Sequence, residues 1–540
     1  MVIIPKAPHK RLPLAIALAL ATGAVGAGFA PQLELSGLNG SNGFVINGVS
    51  AEDYSGFSVS IAGDINGDGI DDLVIGAPYA STNADYAGAS YVVFGSSQGL
   101  PNPLNLSGLD GSNGFVINGT NAGDYAGASV SAAGDINGDG FDDLIIGAPG
   151  ASPDQAYSGA SYVVFGSDSD YNWPGSLELS ALDGNNGFVI NGVGAYDESG
   201  TSVSSAGDIN GDGIGDVIIG APYAGAGASY VVFGSDVVDG LPNPLNLSSL
   251  DGSNGFLING VSQGDSLGGA VSEAGDINHD GIDDVIIGAI FAGPGESYAG
   301  TSYVVFGDDE EGGLPNPLNL SDLDGSNGFV INGVTSGDDT GTSVSSAGDI
   351  NSDTFDDVII GASKADPNGS TSGASYVVFG RNVDYVWPGA LDLSSLDGSN
   401  GFVINGVSAG DESGTAVSGA GDINLDGFND LFIGAPFADP NGSGSGASYV
   451  VFGSDQAWPG SLNLSGLDGN NGFVINGVSA GDNSGSSVSD AGDINGDGIA
   501  DLITGAPLAS PNGQYSGTSY VIFGNSGDEV DEIFADSFES

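Results

Sequence analysis

Four short segments recur along the chain, each with its own hydrophobic pattern. "GFVING" is an apolar, β-branched run bounded by glycine. "SVSIAGD" alternates small polar and apolar residues. "DLVIGAP" is apolar until it stops at Gly-Ala-Pro. "ASYVVFG" is a continuous apolar run that ends at glycine. Turn residues separate all four and no stretch keeps a helical period, so each is predicted as a strand. The unbroken runs predict strands covered on both faces.

The set repeats seven times. The phenylalanine of the first segment falls at Phe44, Phe115, Phe188, Phe256, Phe329, Phe402 and Phe473. The last segment returns with Ser90, Ser161, Ser229, Ser302, Ser375, Ser448 and Ser519. Repeats of four strands predict an all-β fold, a seven-bladed β-propeller of four-stranded antiparallel blades over residues 33–524. An open solenoid would have shorter rungs and atypical end repeats that cap the stack. Here the first and last units resemble the middle ones. The connectors after "YVVFG" come in two styles. Three carry "GLPNPLNLS" or a near copy, and three begin at Trp173, Trp387 and Trp458, the only tryptophans. The adjacent Pro-Gly favours tryptophans that pin a connector to its blade over tryptophans that stack on sugar.

Between the second and third segments lies "DINGDGIDD", residues 64–72. Asp64, Asn66, Asp68 and Asp72 present oxygens at positions 1, 3, 5 and 9, and the Ile70 carbonyl can serve at position 7. A hard cation takes six to eight oxygens at roughly 2.3–2.6 Å, and odd spacing points ligands to one side of a tight loop. The other sets are Asp135, Asn137, Asp139, Phe141 and Asp143; Asp208, Asn210, Asp212, Ile214 and Asp216; Asp276, Asn278, Asp280, Ile282 and Asp284; Asp349, Asn351, Asp353, Phe355 and Asp357; Asp422, Asn424, Asp426, Phe428 and Asp430; and Asp493, Asn495, Asp497, Ile499 and Asp501. The pattern matches half of an EF-hand loop, but position 12 is Ile or Thr and the flanks are strands. Calcium, up to seven ions, is the expected cofactor. The bland alternative is a set of Asx turns without metal. Seven complete copies, each with its closing aspartate, favour metal. Thr354 replaces the position-6 glycine in the fifth loop, which predicts strain and weaker binding there.

Charge sharpens this picture. Lys6, Lys10 and Arg11 precede a short apolar run and a small-residue exit, which predicts a secretory signal peptide over residues 1–27. The alternative, a membrane anchor, needs a longer run. Residues 28–32 read as a linker and 525–540 as an acidic tail. The mature chain then keeps Lys364 and Arg381 against 69 acidic residues, a formal charge of −67. Such a surface repels nucleic acid and anionic membranes and attracts cations. There is no cysteine, so neither disulfides nor thiolate sites contribute. The only mature histidine, His279, is expected to face solvent within the fourth loop.

The unit "SGFSVSIAGDINGDGIDDLVIGAPYA…GASYVVFG" resembles the FG-GAP repeat of integrin α-subunit propellers and their secreted microbial relatives. The acidic loop, the "GAP" end and the "YVVFG" strand carry the resemblance over nearly all of residues 33–524. It implies a seven-bladed propeller with calcium in the loops between blade strands. It also implies that "GFVING" is the outer strand of the preceding blade, in which case Leu33–Val49 completes the last blade and closes the ring. The phenylalanine of the "FG" dipeptide is replaced by Ser55, Ala126, Ser199, Leu267, Thr340, Ser413 and Ser484, but the glycine stays. The expected function is a secreted calcium-binding module for adhesion or ligand binding. Its partner would be an extracellular protein or glycan, and the propeller a monomer. A calcium-dependent polysaccharide-degrading enzyme and a structural surface or matrix protein are the alternatives. One histidine, one lysine and one arginine leave few catalytic groups besides carboxylates, so no catalytic residue is named.

Overall fold

The computed structural model describes residues 29–237, 241–293, 298–309 and 313–526. The expected signal peptide and the tail beyond Ser526 lie outside the described residues. Seven sheets form seven blades around an axis. In blade 1 the inner strand is Ser58–Gly63, followed outward by Asp72–Ala77, Ala89–Val93 and Gly114–Asn118. These four pair antiparallel in that order, as the sequence predicts. The second and third strands are buried along their whole length, because each blade packs face to face on two neighbours.

The core is a chain of such interfaces. Val74, Val92 and Phe115 of blade 1 share one cluster with Leu144, Ile146 and Tyr162 of blade 2. Ile503 and Val521 of blade 7 meet Leu73, Ile75 and Tyr91 of blade 1 in another. Each such side chain contributes roughly 1.5–3 kcal/mol on burial. Close approach explains the glycines of both motifs. A Cβ on Gly76 would sit 2.1 Å from the carbonyl oxygen of Gly127 in the next blade. Glycine therefore stays in the "FG" dipeptide although its phenylalanine does not.

Ring closure follows the predicted scheme for the second half of Leu33–Val49, while Leu33 and Glu34 lie on blade 6 instead. Gly43–Asn47 is the outer strand of blade 7 and pairs antiparallel with Thr518–Ile522, Phe44 opposite Val521. The inner strands touch around the full circle, including that of blade 7 with that of blade 1.

The structure adds a fifth strand that the prediction of four-stranded antiparallel blades lacks. Each connector lays two or three residues parallel to the outer strand of a neighbouring blade. Ser176–Glu178 joins blade 1 this way, pairing with Val116–Asn118. Gln32–Glu34 joins blade 6, pairing with Val474–Asn476. The N-terminal segment thus completes two blades. Residues 29–32, expected as a linker, run along blade 6, where the ring of Phe29 stacks on Phe473 at 4.5 Å and 4°.

The tryptophans hold the connectors down. Trp173, Trp387 and Trp458 stack on Phe115, Phe329 and Phe402 with ring centroids 4.3–4.6 Å apart. In the other connector style Leu100, Leu241 and Leu314 pack into the clusters of Phe44, Phe188 and Phe256. The two styles satisfy the same backbone donor differently. The Val116 N–H donates to the Gly175 carbonyl at 3.2 Å. The equivalent Val45 N–H donates to the Asn102 side-chain oxygen at 3.1 Å.

Candidate metal-binding loops

Strand direction puts all seven acidic loops and the connectors at one end of the ring. Each loop joins the inner strand to the second strand, and the closing aspartate is the first residue after the turn. Left-handed glycines drive the turn: Gly67 and Gly69 have φ of 68° and 87°. In blade 1 the Asp64 carboxylate accepts the N–H groups of Asp68 and Gly69 at 2.9 and 2.8 Å. Asp68 accepts the N–H of Ile70 at 3.0 Å. Asp72 lies beneath, accepting the N–H of Gly95 at 2.8 Å and the Asn66 amide at 3.0 and 3.1 Å. Gly95 ends "YVVFG", so the third strand clamps the loop.

The arrangement recurs in every blade. Asp72, Asp143, Asp216, Asp284, Asp357, Asp430 and Asp501 are 0% exposed. The later six accept the N–H of Gly166, Gly234, Gly307, Gly380, Gly453 and Gly524. The position-3 amide has two settings. Asn66, Asn210, Asn351 and Asn495 donate to the closing aspartate. Asn137, Asn278 and Asn424 accept the position-5 N–H at 2.8–2.9 Å, and Asn210 does both, accepting the Asp212 N–H at 3.0 Å.

Burial pushes the closing carboxyls far up from the ordinary carboxylate range, against the lowering effect of the glycine N–H; the position-1 and position-5 aspartates raise them further. For Asp216, Asp430 and Asp501 the value reaches about 8. The ion pairs among the described residues are Lys364–Asp339 at 2.8 Å and the His279–Asp276 contact at 3.9 Å, which is ionic only when His279 is protonated; neither reaches a closing aspartate. The donors fit a hard divalent cation in kind. All are oxygens, and a buried carboxylate without a counter-charge lies at the base of each loop. The three carboxylates of a loop are not drawn to a common point: among the described residues no three Asp, Glu or His groups lie close enough to hold an ion. The backbone N–H groups above occupy those oxygens instead.

The sequence reading overlooked the position-8 aspartate. Asp142 of blade 2 accepts the N–H of Asp64 in blade 1 at 2.9 Å. Asp283, Asp356 and Asp71 do the same for Asp208, Asp276 and Asp493. Gly215, Asn429 and Ala500 stand at the other three junctions. The signal was the doubled "DD" that closes these loops. In the fifth loop Thr354 takes φ 75°, a region costly for a β-branched residue. The hydrogen bonds of that loop are nonetheless kept, with the Asp353 and Thr354 N–H groups at 3.0 and 2.9 Å from Asp349. His279 lies edge-on to Phe355 of the next loop, with centroids 4.8 Å apart.

Seven stretches of this ring, residues 55–93, 126–164, 199–232, 268–305, 340–378, 413–451 and 485–522, match the FG-GAP repeat. The chain belongs to the FG-GAP repeat family. Each FG-GAP match starts at or next to the recurring glycine before the inner strand and ends on the third strand, so it brackets one acidic loop. The chain is 30% identical over 239 residues to integrin alpha-5 of Xenopus laevis, covering 44% of this chain and 20% of that one. It is 33% identical over 254 residues to integrin alpha pat-2 of Caenorhabditis elegans, covering 44% and 18%. It is also 33% identical over 166 residues to the human phosphatidylinositol-glycan-specific phospholipase D, covering 30% and 18%. The chain thus spans about a fifth of the length of these relatives. Among the described residues no helix is long and apolar enough to cross a membrane.

Proposed function

We propose that the chain is a secreted, calcium-binding FG-GAP propeller that acts as an extracellular adhesion or ligand-binding module. The observation that carries the calcium reading is the sevenfold buried closing aspartate, which has no cationic partner among the described residues. In blade 1 the side chains of Asp64, Asn66, Asp68 and Asp72 and the Ile70 carbonyl would hold the ion, and the equivalent residues would do so elsewhere. Calcium suits an oxygen-only loop that tolerates irregular coordination better than magnesium does. The integrin relatives support an extracellular, ligand-binding role, and the N-terminal basic and apolar run supports export.

The role is non-enzymatic. The mature chain has one histidine, one lysine and one arginine, and Lys364 is held by Asp339 at 2.8 Å. The phospholipase relative matches over less than a fifth of its own length. The test is an array of extracellular proteins and glycans probed with mature protein in calcium and again in chelator. The expected result is capture in calcium that chelator removes. Capture of nothing on the array, or turnover of a polysaccharide by repurified protein, would overturn the reading.

A further inference from the structure

The end of the ring opposite the acidic loops carries an aromatic ridge over blades 7, 1 and 2. It forms because the segment entering each blade bonds to a turn of the blade before. The Tyr54 N–H donates to the Tyr515 carbonyl at 3.0 Å, and the Tyr125 N–H to the Tyr86 carbonyl at 3.2 Å. The paired rings then lie near-parallel, with centroids 5.6 and 6.3 Å apart. Tyr79 sits between the pairs, 5.0 Å from Tyr54 and 5.5 Å from Tyr125.

These tyrosines are held against backbone preference. Tyr54, Tyr86, Tyr125 and Tyr515 have φ of 55–56°. The left-handed region costs an ordinary side chain roughly 1–2 kcal/mol. The turn itself does not need the ring, because Gly225 and Gly444 stand at the place of Tyr86 in blades 3 and 6. Two grooves flank the ridge, of about 450 and 560 Å³, and Tyr79, Tyr86 and Glu52 line both. Both volumes fall in the range of small-ligand sites.

The groove chemistry selects the ligand. Besides the rings, the walls offer hydroxyls and an amide from Ser50, Ser81, Thr82, Asn483 and Ser486. Exposed Glu52 and Asp85 can accept further hydrogen bonds, while Asp53 is already engaged with the Ser50 N–H at 2.9 Å. No lysine or arginine lines either groove, which disfavours uronates and sulfated sugars. Flat apolar rings framed by hydroxyls suit a sugar, which has an apolar C–H face and a polar rim. We propose that this ridge binds a neutral glycan chain, with sugar rings lying on either side of the Tyr79–Tyr86 wall. The inference rests on the ligand-binding reading above and gives it a place and a chemical class.

The test is affinity electrophoresis of mature, calcium-loaded protein through gels containing laminarin, mannan or dextran, with alginate and oligolysine arms. At least one neutral polysaccharide should retard the protein, and raised salt should leave the retardation intact. Tyr79→Ala should weaken it roughly tenfold, equal to about 1.4 kcal/mol. Tyr298→Ala, an exposed tyrosine of blade 4, should leave it unchanged, and both variants should melt like the parent. Retardation by none of the three, or equal retardation of Tyr79→Ala, overturns the glycan assignment. Capture of oligolysine alone, abolished by salt, also overturns it while leaving the binding-module reading in place. Failure on the protein and glycan array as well would remove both.

Discussion

At the acidic end of the ring, every blade presents the same loop: aspartate at positions 1, 5 and 9, and a closing carboxylate that is 0% exposed. At the other end, the equivalent turns carry Tyr86, Tyr157, Gly225, Tyr298, Thr371, Gly444 and Tyr515. The strands between are shared, so the contrast arises in the turns alone. A feature repeated without change in seven places acts as a sum over blades, and stability against seven clusters of like charge is such a sum. A feature that changes from blade to blade makes one side of the ring unlike the other, which recognition requires. The uniform end should therefore respond to cations and barely to ligands, and the varied end the reverse.

The largest effect should come from removing metal. A ligand bound only by the folded state stabilises by about 2.7 kcal/mol per site at a hundredfold excess over Kd. Neighbouring blades share interfaces, so seven sites need not add fully. Even partial addition rivals the whole stability of an ordinary domain, roughly 5–15 kcal/mol. Calorimetric melts of mature protein should show a sharp fall in Tm with chelator, recovered better by calcium than by magnesium. Identical melts in all three would leave the uniform end as plain turns and break the comparison.

One closing aspartate comes next. In calcium, Asp72→Ala should lose about 3 kcal/mol and Asn66→Ala clearly less, since a carboxylate can bind an ion through both oxygens. Asp72→Asn sharpens the point. It keeps an acceptor for the Gly95 N–H but removes the buried charge. It should destabilise in calcium and be neutral or stabilising in chelator. A loss of equal size in both conditions would make Asp72 a hydrogen-bonding residue only.

Phe29 follows, at about 2 kcal/mol for Phe29→Ala, below the range for a fully buried phenylalanine because Phe29 is half-buried. It takes the place on Phe473 that Trp173 takes on Phe115. Unfolding in urea reads the loss, and an unchanged midpoint would show that blade 6 does not need its fifth strand. This contact also marks where sequence reasoning stopped. The repeat, the four strands, the loop and the closure by Gly43–Asn47 were legible because each has an apolar run and a fixed glycine. The fifth strand was not: it is two or three residues long, half polar, and pairs with a distant segment, Ser176 with Val116 in blade 1 and Gln32 with Val474 in blade 6. Trp, Leu and Phe all fill the slot that anchors it, so no single letter repeats. The tyrosine ridge was hidden for a related reason. Its rings meet only because turns from adjacent blades bond side by side, as the Tyr125 and Tyr86 backbones do.

The smallest effect concerns the one loop that departs from the uniform rule. Thr354 holds φ 75° where the loop of blade 1 has Gly69 at 87°. Arg381, the only arginine beyond the N-terminal segment, follows the clamping Gly380 and acts on Asp353, whose carboxyl is raised by burial, with the Phe355 N–H and, more weakly, that guanidinium opposing the rise. A fixed positive charge beside a cation site weakens cation binding. Thr354→Gly should stabilise the protein in chelator by about 1 kcal/mol, because relief of the left-handed strain outweighs the added freedom of glycine in the unfolded chain. Arg381→Ser should cost some stability in chelator, where the guanidinium offsets the loop carboxylates and donates to the Ser399 carbonyl, and should tighten the weakest calcium site. Titration calorimetry should then show one site weaker than the others in the parent and a more uniform set in the double variant. Seven equal sites in the parent would show that the fifth loop obeys the same rule as the rest, and that strain and charge in its second half do not reach the ion.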